Sequence, residues 1–384
     1  MTIIVAVIVL GVLIIVHEFG HFIVAKSFNV GVLEFAIGFG KKLWRKRLGE
    51  TAYSIGAIPL GGYVRMVGDD PENYRQGSVL AVEGADNDQT ALDPVEEKLL
   101  RDKSRWFLEK GLIARACIVL AGPAFNIIFA VLLAVAAFYV FGKGVPLDEP
   151  VIGTLIPGQP AEKAGLQVGD RIRAVDGRDP VTWEEFARTI AGSGGREMTF
   201  AVERRDSASA QIQQFELKIT GVPESAELKL LGPGRTDNPY KIGVVPEIRR
   251  ESASLGEAVT GGVGQTWYIT VVTFRGLWGM ISGVISPRHI AGPIFIFKEA
   301  ARSAKRGVDY LLDFVVFLSM SLAILNLLPI PILDGGHLMF FLLEALRGKP
   351  LSLQVQGIAN QVGLAALLLL MAFAVGNDIV RLFG

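Results

Sequence analysis

Three side chains pose the first question: His17, Glu18 and His21, in the order His-Glu-Phe-Gly-His. On a helix, positions i and i+4 fall on one face, so both imidazoles can reach one metal ion. Zn2+ suits two imidazoles plus one further donor, with a position left open for a substrate. A glutamate beside the first histidine then stands where a general base is needed to take a proton from attacking water. The chemistry would be hydrolysis. The competing reading is a pair of buried histidines hydrogen-bonded to neighbouring helices. The setting weighs against it, because the triplet interrupts an apolar run, Val12 to Lys26. Ionisable groups inside a membrane span are costly and mark functional sites.

A zinc hydrolase needs a third protein ligand. The only other histidines are His289 and His337, but the stretch Asn326 to His337 reads NLLPIPILDGGH. Pro329 and Pro331 break a helix there, and the glycines after Asp334 permit a non-helical backbone. Such backbone is tolerated at membrane depth only where protein covers it or it lines a wet cavity. Asp334 is therefore the candidate third ligand; its alternative role is a helix N-cap for the segment that follows. His337, three residues further on, is assigned a supporting or structural place.

The elements that must position these residues follow from hydropathy. The 384 residues are 51% apolar and 20% charged, with mean hydropathy +0.42. That implies several membrane spans plus a water-exposed region. The 38 basic and 38 acidic residues balance, so nothing points to nucleic acid. A single cysteine, Cys117, excludes an intrachain disulfide. The run Ile3 to Val16 has neither a basic start nor a small-residue cleavage site after it, and reads as a retained anchor. The expected fold is a polytopic α-helical membrane protein with four transmembrane helices: 1–25, 112–141, 311–330 and 357–380. A β-hairpin associated with the membrane is expected in the loop 26–111. Residues 331–340 are expected as a loop, and 223–310 as a linker with amphipathic segments.

Basic residues set the direction. Lys26, Lys41, Lys42, Arg45, Lys46 and Arg47 follow the first span, and Arg101, Lys103, Arg105, Lys110 and Arg115 crowd the start of the second. Residues 26–111 are therefore expected in the cytoplasm. From Ile3 to His17 is roughly 21 Å at ~1.5 Å per residue, which places the metal nearer the cytoplasmic face. Asp334 must reach that depth from the far end of its own span. The number of crossings between Phe141 and Leu311 is then even, so Thr266 to Ile285 should lie on the outer surface or re-enter, rather than cross alone.

Residues 150–222 carry a water-exposed pattern: a one-turn helix at Ala161 to Ala164, a strand over Asp170 to Val175, a tight turn at Asp176-Gly177, and an amphipathic helix with Thr182 as N-cap. Pro157 to Gly177 resembles the signature of a PDZ domain, inserted here on the extracytoplasmic side. Such a domain receives extended peptides by strand addition, or its groove stays empty and it only shields the membrane core. One copy is visible.

HEFGH in the first span, the Asn326 to Gly335 motif after the third, and the domain between them together resemble the site-2 protease family of intramembrane zinc metalloproteases, closest to the bacterial branch that cleaves anti-sigma factors. GFG (Gly38 to Gly40), IPLGGYVRM (Ile58 to Met66) and GPAFN (Gly122 to Asn126) extend the likeness over nearly the whole chain. Several relatives carry two PDZ domains, and this chain shows one. The resemblance implies a Zn2+ cofactor, an inner-membrane location with a periplasmic PDZ domain, and transmembrane substrates pre-cleaved outside. It further implies that Asn326 orients substrate or holds the developing oxyanion, and that Gly38, Gly40, Gly62, Asn126, Pro329 and Pro331 contact substrate. The segments Gly31 to Phe39 and Glu50 to Ile58 would offer a strand edge to an unwound substrate, or form a plain surface hairpin. Two alternatives stand beside the protease: a catalytically inactive membrane-tethered PDZ adaptor, and a metal transporter.

Overall fold

The computed structural model describes residues 2–69, 94–156, 158–205, 211–226, 230 and 240–383. Pro157 and residues 70–93 of the expected cytoplasmic loop lie outside them. The chain divides into two compact units: Met1–Val135 with Gly262–Thr270 and Pro287–Gly384, and Ala136–Gly261 with Val271–Ser286.

Four helices are long and apolar enough to cross a membrane. They are α1 (Thr2–Ser27), α3 (Leu112–Phe141), α8 (Val308–Asn326) and α10 (Leu353–Phe383), with α2 (Pro94–Arg101) short and charged. In the first unit, Val9 and Leu13 of α1 pack with Val315 of α8, against Phe129 and Leu133 of α3. Ala130 and Ala134 of α3 meet Val316 and Met320 of α8. Small residues let these backbones come close, which is how helices associate without a hydrophobic driving force. The fourth span is peripheral, with only 11% of its most apolar window buried. Its Asp378 is the exception. That carboxylate is buried and accepts the backbone N–H groups of Gly292 and Phe295. It thereby caps α7 (Pro293–Arg306), whose own N-cap, Gly292, has no side chain to offer.

The third span ends at Asn326, short of the expected Ile330, because the turn carrying Pro329 and Pro331 cannot continue the ladder. The expected loop 331–340 is likewise short: α9 (Asp334–Arg347) begins directly at Asp334. Among the described residues no fifth helix meets the criteria for a span. Thr266 to Ile285 falls largely within α6 (Leu255–Ile281), whose Trp267, Phe274 and Trp278 are exposed.

Between α1 and α3 of the first unit lie two long strands, β1 (Val32–Leu48) and β2 (Thr51–Met66). Both bend. Residues 34–37 pair with 52–55 on one side and with 62–65 on the other, while 44–48 pair with 51–55. Gly38 and Gly40 make the bend of β1 with φ of 81° and 78°, a region closed to most side chains. A Cβ on Gly38 would meet the Ile58 carbonyl oxygen at 2.6 Å. Glu34 is buried and satisfied by Ser54, Tyr63 and Lys42 at 2.6, 3.0 and 3.1 Å. This network ties the two faces of the bend together.

The second unit holds β3 (Lys143–Pro146), β4 (Ile152–Leu155), α4 (Pro160–Lys163), β5 (Arg171–Val175), α5 (Trp183–Ala191), β6 (Glu197–Arg205) and β7 (Ile212–Thr220). β5, β6 and β7 form an antiparallel sheet. Its core joins Ile172, Phe200 and Ile219 to Phe186 and Ile190 of α5. Thr182 caps α5 by accepting from the Glu185 N–H at 3.2 Å. Asp176 and Gly177, at φ 49° and 76°, make the turn after β5. Four further strands, β8 (Val222–Pro223), β9 (Tyr240–Lys241), β10 (Val244–Pro246) and β11 (Ile248–Glu251), begin in or fall within the region expected as linker. β10 pairs with β4 and β11 with β3. Strands this short need a partner, and the chain returns from beyond residue 222 to supply it.

Candidate metal centre

The centre is built where α1 and α3 cross within the first unit. Gly20 and Gly122 make the crossing possible. A Cβ on Gly20 would meet the Ala121 carbonyl carbon at 2.8 Å, and one on Gly122 would meet His21 Cε1 at 2.6 Å and His17 Cε1 at 2.8 Å. The imidazoles thus press their edges against bare helix backbone, with 4.8 Å between the ring centroids and the ring planes nearly perpendicular. His21 Nδ1 donates to the Ile118 carbonyl at 2.8 Å. A carbonyl only accepts, so the proton of His21 is on Nδ1 and its Nε2 keeps a lone pair.

That Nε2 faces two electron-rich atoms. His17 Nε2 lies 3.2 Å away and Asp334 Oδ1 3.6 Å away, while Asp334 Oδ2 sits 3.1 Å from His17 Nε2. Asp334 Oδ2 is buried and, among the described residues, has no hydrogen-bond partner. Asp334 is not the N-cap of its helix; that position is Leu333, which makes no side-chain cap. The carboxylate is instead turned to the histidines. Three donors converging without satisfying one another are unfavourable unless a cation sits among them. The spacing fits one: bonds of ~2.0–2.1 Å in a tetrahedral site put ligand atoms about 3.3 Å apart. His17, His21 and Asp334 are the one His/Asp/Glu/Cys cluster among the described residues that could hold a metal ion.

Glu18 flanks the cluster and lies within electrostatic range of all three ligands. On its other side is β2. A Cβ on Gly62 would stand 3.2 Å from Glu18 Cγ and 3.0 Å from Ile14 Cγ2, so only glycine lets this strand approach the glutamate so closely. The expected strand edges are corrected here. Residues 34–37 are paired on both sides, whereas among the described residues 62–65, beside Glu18, are paired with β1 alone.

A profile of peptidase family M50 matches residues 5–370. The chain belongs to this family. The zinc metalloprotease RasP of Geobacillus kaustophilus is 32% identical over 430 aligned residues, covering 98% of this chain and 97% of that one. The regulator of sigma-W protease RasP of Bacillus subtilis is 30% identical over 435 residues, covering 100% and 99%. This M50 peptidase is accordingly an intramembrane zinc metalloprotease, and Zn2+ is its cofactor.

Of the residues singled out in the sequence, the structure gathers His17, Glu18, His21, Asp334, Gly62 and Asn126 at one place. Gly38 and Gly40 shape the hairpin bend. Asn326 closes α8, and Pro329 and Pro331 shape the turn that delivers Asp334. Pro331 rests on Gly363 of α10, where a Cβ would meet its own Cβ at 3.1 Å. Within this turn Ile332 has φ 82°, a left-handed conformation that costs a β-branched residue on the order of 1–3 kcal/mol. His337 lies one turn into α9, within electrostatic range of Asp334 and His21. Sequence reasoning did not single out Ile118, or Ser319, whose hydroxyl donates to the Asn126 backbone carbonyl at 2.8 Å. The four-residue steps from Ile118 to Gly122 to Asn126 were the available signal, since they place all three on the face of α3 turned to the histidines.

Proposed function

We propose that this chain cleaves peptide bonds inside transmembrane segments at a zinc held by His17, His21 and Asp334, with Glu18 as general base. The observation that carries this is the convergence of His17 Nε2, His21 Nε2 and an otherwise unsatisfied Asp334 carboxylate within an apolar span. Zinc held by these three residues would supply Lewis acidity toward the scissile carbonyl and toward water near neutral pH. Glu18, beside the three ligands, is placed to take a proton from the attacking water and to return it to the leaving amine.

A helix hides its peptide bonds, so the substrate must be extended to react. The outer side of residues 62–65, next to Glu18, suits strand addition: its free backbone groups would hold an unwound segment in register with the base. Gly62 belongs to this surface. Asn326, at the end of α8, is assigned to the substrate backbone or the developing oxyanion. Pro329 and Pro331 act through the placing of Asp334, and Gly38 and Gly40 through the bend that carries the edge.

The location we infer is the bacterial inner membrane. The basic residues after α1 and before α3 favour a cytoplasmic hairpin and a periplasmic second unit. The order of strands, the capped helix α5 and the Asp176-Gly177 turn support reading that unit as a PDZ-like domain that selects substrates by their outer parts. A relative named as regulator of sigma-W protease supports membrane-anchored anti-sigma factors, pre-cleaved outside, as the substrate class.

The test is Glu18→Gln in full-length protein, measuring zinc content and cleavage of a reconstituted single-span substrate together. Retained stoichiometric zinc with cleavage abolished is the expected result. Undiminished turnover removes Glu18 from the chemistry, and a wild-type protein without zinc refutes the metal site. A zinc-loaded wild-type protein that cleaves no substrate favours the adaptor or transporter.

A further inference from the structure

Behind the histidines, α3 presents one partner to each ring. The Ile118 carbonyl takes the Nδ1 proton of His21 at 2.8 Å. Asn126, two turns along the same face, lies against Nδ1 of His17 at 3.2 Å. Asn126 is fully buried, and its backbone is fastened by Ser319. Yet among the described residues its side-chain Oδ1 has no hydrogen-bond partner. A buried, unsatisfied carboxamide oxygen this close to a metal-site histidine calls for an explanation.

The chemistry of His17 provides one. A neutral imidazole carries one proton. If the Asn126 NH2 group faces Nδ1, that nitrogen must carry the lone pair, the proton moves to Nε2, and His17 cannot bind a metal through the atom that faces Asp334. If Oδ1 faces Nδ1 instead, the proton is held there and the Nε2 lone pair points at Asp334 and His21 Nε2. The two ends of a carboxamide have the same shape, so the exchange needs no movement of the helices. Among the described residues no hydrogen bond of Oδ1 opposes it.

We infer that Asn126 is a positioning residue for the metal: its Oδ1 accepts the Nδ1–H of His17 and fixes the tautomer and ring plane that the metal requires. Asn126 and the Ile118 carbonyl then play matching parts for the two histidines. The inference rests on the zinc reading of the His17, His21 and Asp334 cluster. It moves Asn126 from the substrate surface, where the family resemblance put it, to the support of the ligands. Partners of this kind govern metal affinity by roughly 10–100-fold.

The experiment compares full-length wild type, Asn126→Ala and Asn126→Asp in detergent micelles, after removal of metal by chelation. Zinc affinity is read by competition with a chromophoric chelator, and ligand geometry by the visible absorption of the Co2+ form. A loss of roughly 10–100-fold in zinc affinity is expected for Ala. Asp, which keeps an acceptor and lacks a donor, should bind zinc close to wild type with an unaltered Co2+ spectrum. Wild-type zinc affinity in the Ala variant overturns the inference, and a raised KM alongside it returns Asn126 to the substrate. An Asp variant as weak as Ala overturns it equally, because the donor would then be the working group. Should the Ala variant fail to fold, the Asp variant decides by the same criterion. Wild type that takes up no zinc refutes the metal reading itself and the inference with it, a result distinct from the others.

Discussion

Gly122→Ala sets two opposing effects against each other. In an open helix interior, glycine to alanine gains about 1 kcal/mol. At position 122 the new methyl would stand 2.6 Å from His21 Cε1 and 2.8 Å from His17 Cε1. Carbon–carbon contact requires ~3.5 Å, so the rings or the helices must give by about 0.7–0.9 Å. Overpacking of that kind costs roughly 1–3 kcal/mol, which leaves a net loss in stability of at most about 2 kcal/mol. The site is far less tolerant. Metal–ligand distances hold within about 0.2 Å, and the ring shift is several times that. The variant should therefore remain folded while losing zinc and activity. Gly357→Ala is the control, since among the described residues nothing beyond its own stretch of helix backbone lies within 4 Å of the position a Cβ would take there. It should be neutral or stabilising with full zinc. Thermal unfolding of the metal-free proteins and zinc content of the loaded ones separate the two effects. Zinc affinity and turnover at wild-type levels in Gly122→Ala would refute the close crossing of α1 and α3 on which the site is built.

Arg115 and Glu344 form a bidentate pair, at 3.1 and 2.5 Å, that fastens α9 to the start of α3. Removing either partner leaves a largely buried charge and should cost about 3 kcal/mol, whereas Arg115→Met with Glu344→Met together should recover most of it; chemical denaturation of all four proteins checks this. Glu34 supplies a pH dependence. Burial raises its carboxyl, but the hydrogen bond from Ser54 and the charge of Lys42 outweigh this, and the group sits below its ordinary value. Its contribution is then complete above the unfolded carboxylate value of about 4.3 and is lost as pH falls through the lower folded value. Glu34→Gln should flatten the decline of melting temperature below about pH 4.3, and an unchanged slope would exclude Glu34 as a source of the acid sensitivity.

Features set by local spacing were legible in the sequence. HEFGH put two histidines on one helix face, the two prolines before Asp334 marked the break after α8, and hydropathy picked out four helices long and apolar enough to cross a membrane. Thr182 and Asp176-Gly177 announced their cap and turn through side-chain and φ requirements alone. Features that depend on contact between distant segments were not legible. β1 and β2 read as a hairpin, but their bends place residues 34–37 between two partners and move the open edge to 62–65. The pairing of β10 with β4 closes a gap of some ninety residues, which no periodicity reveals. Asn126 looked like one more polar residue in a motif. Its relation to His17 appears only once α1 lies against α3.

The donors of the site stand at opposite ends of the chain, at residues 17, 21 and 334. During synthesis at ~5–20 residues per second, the two histidines enter the bilayer roughly 15–60 s before the aspartate exists. For that interval the growing chain holds two of the three proposed ligands. The order of the sequence thus delays the appearance of a peptide-cutting centre until the hairpin, both flanking spans and the second unit have been made. Ribosome-stalled chains ending before residue 334 should be inserted yet free of zinc, and metal retention should appear abruptly once α9 has emerged.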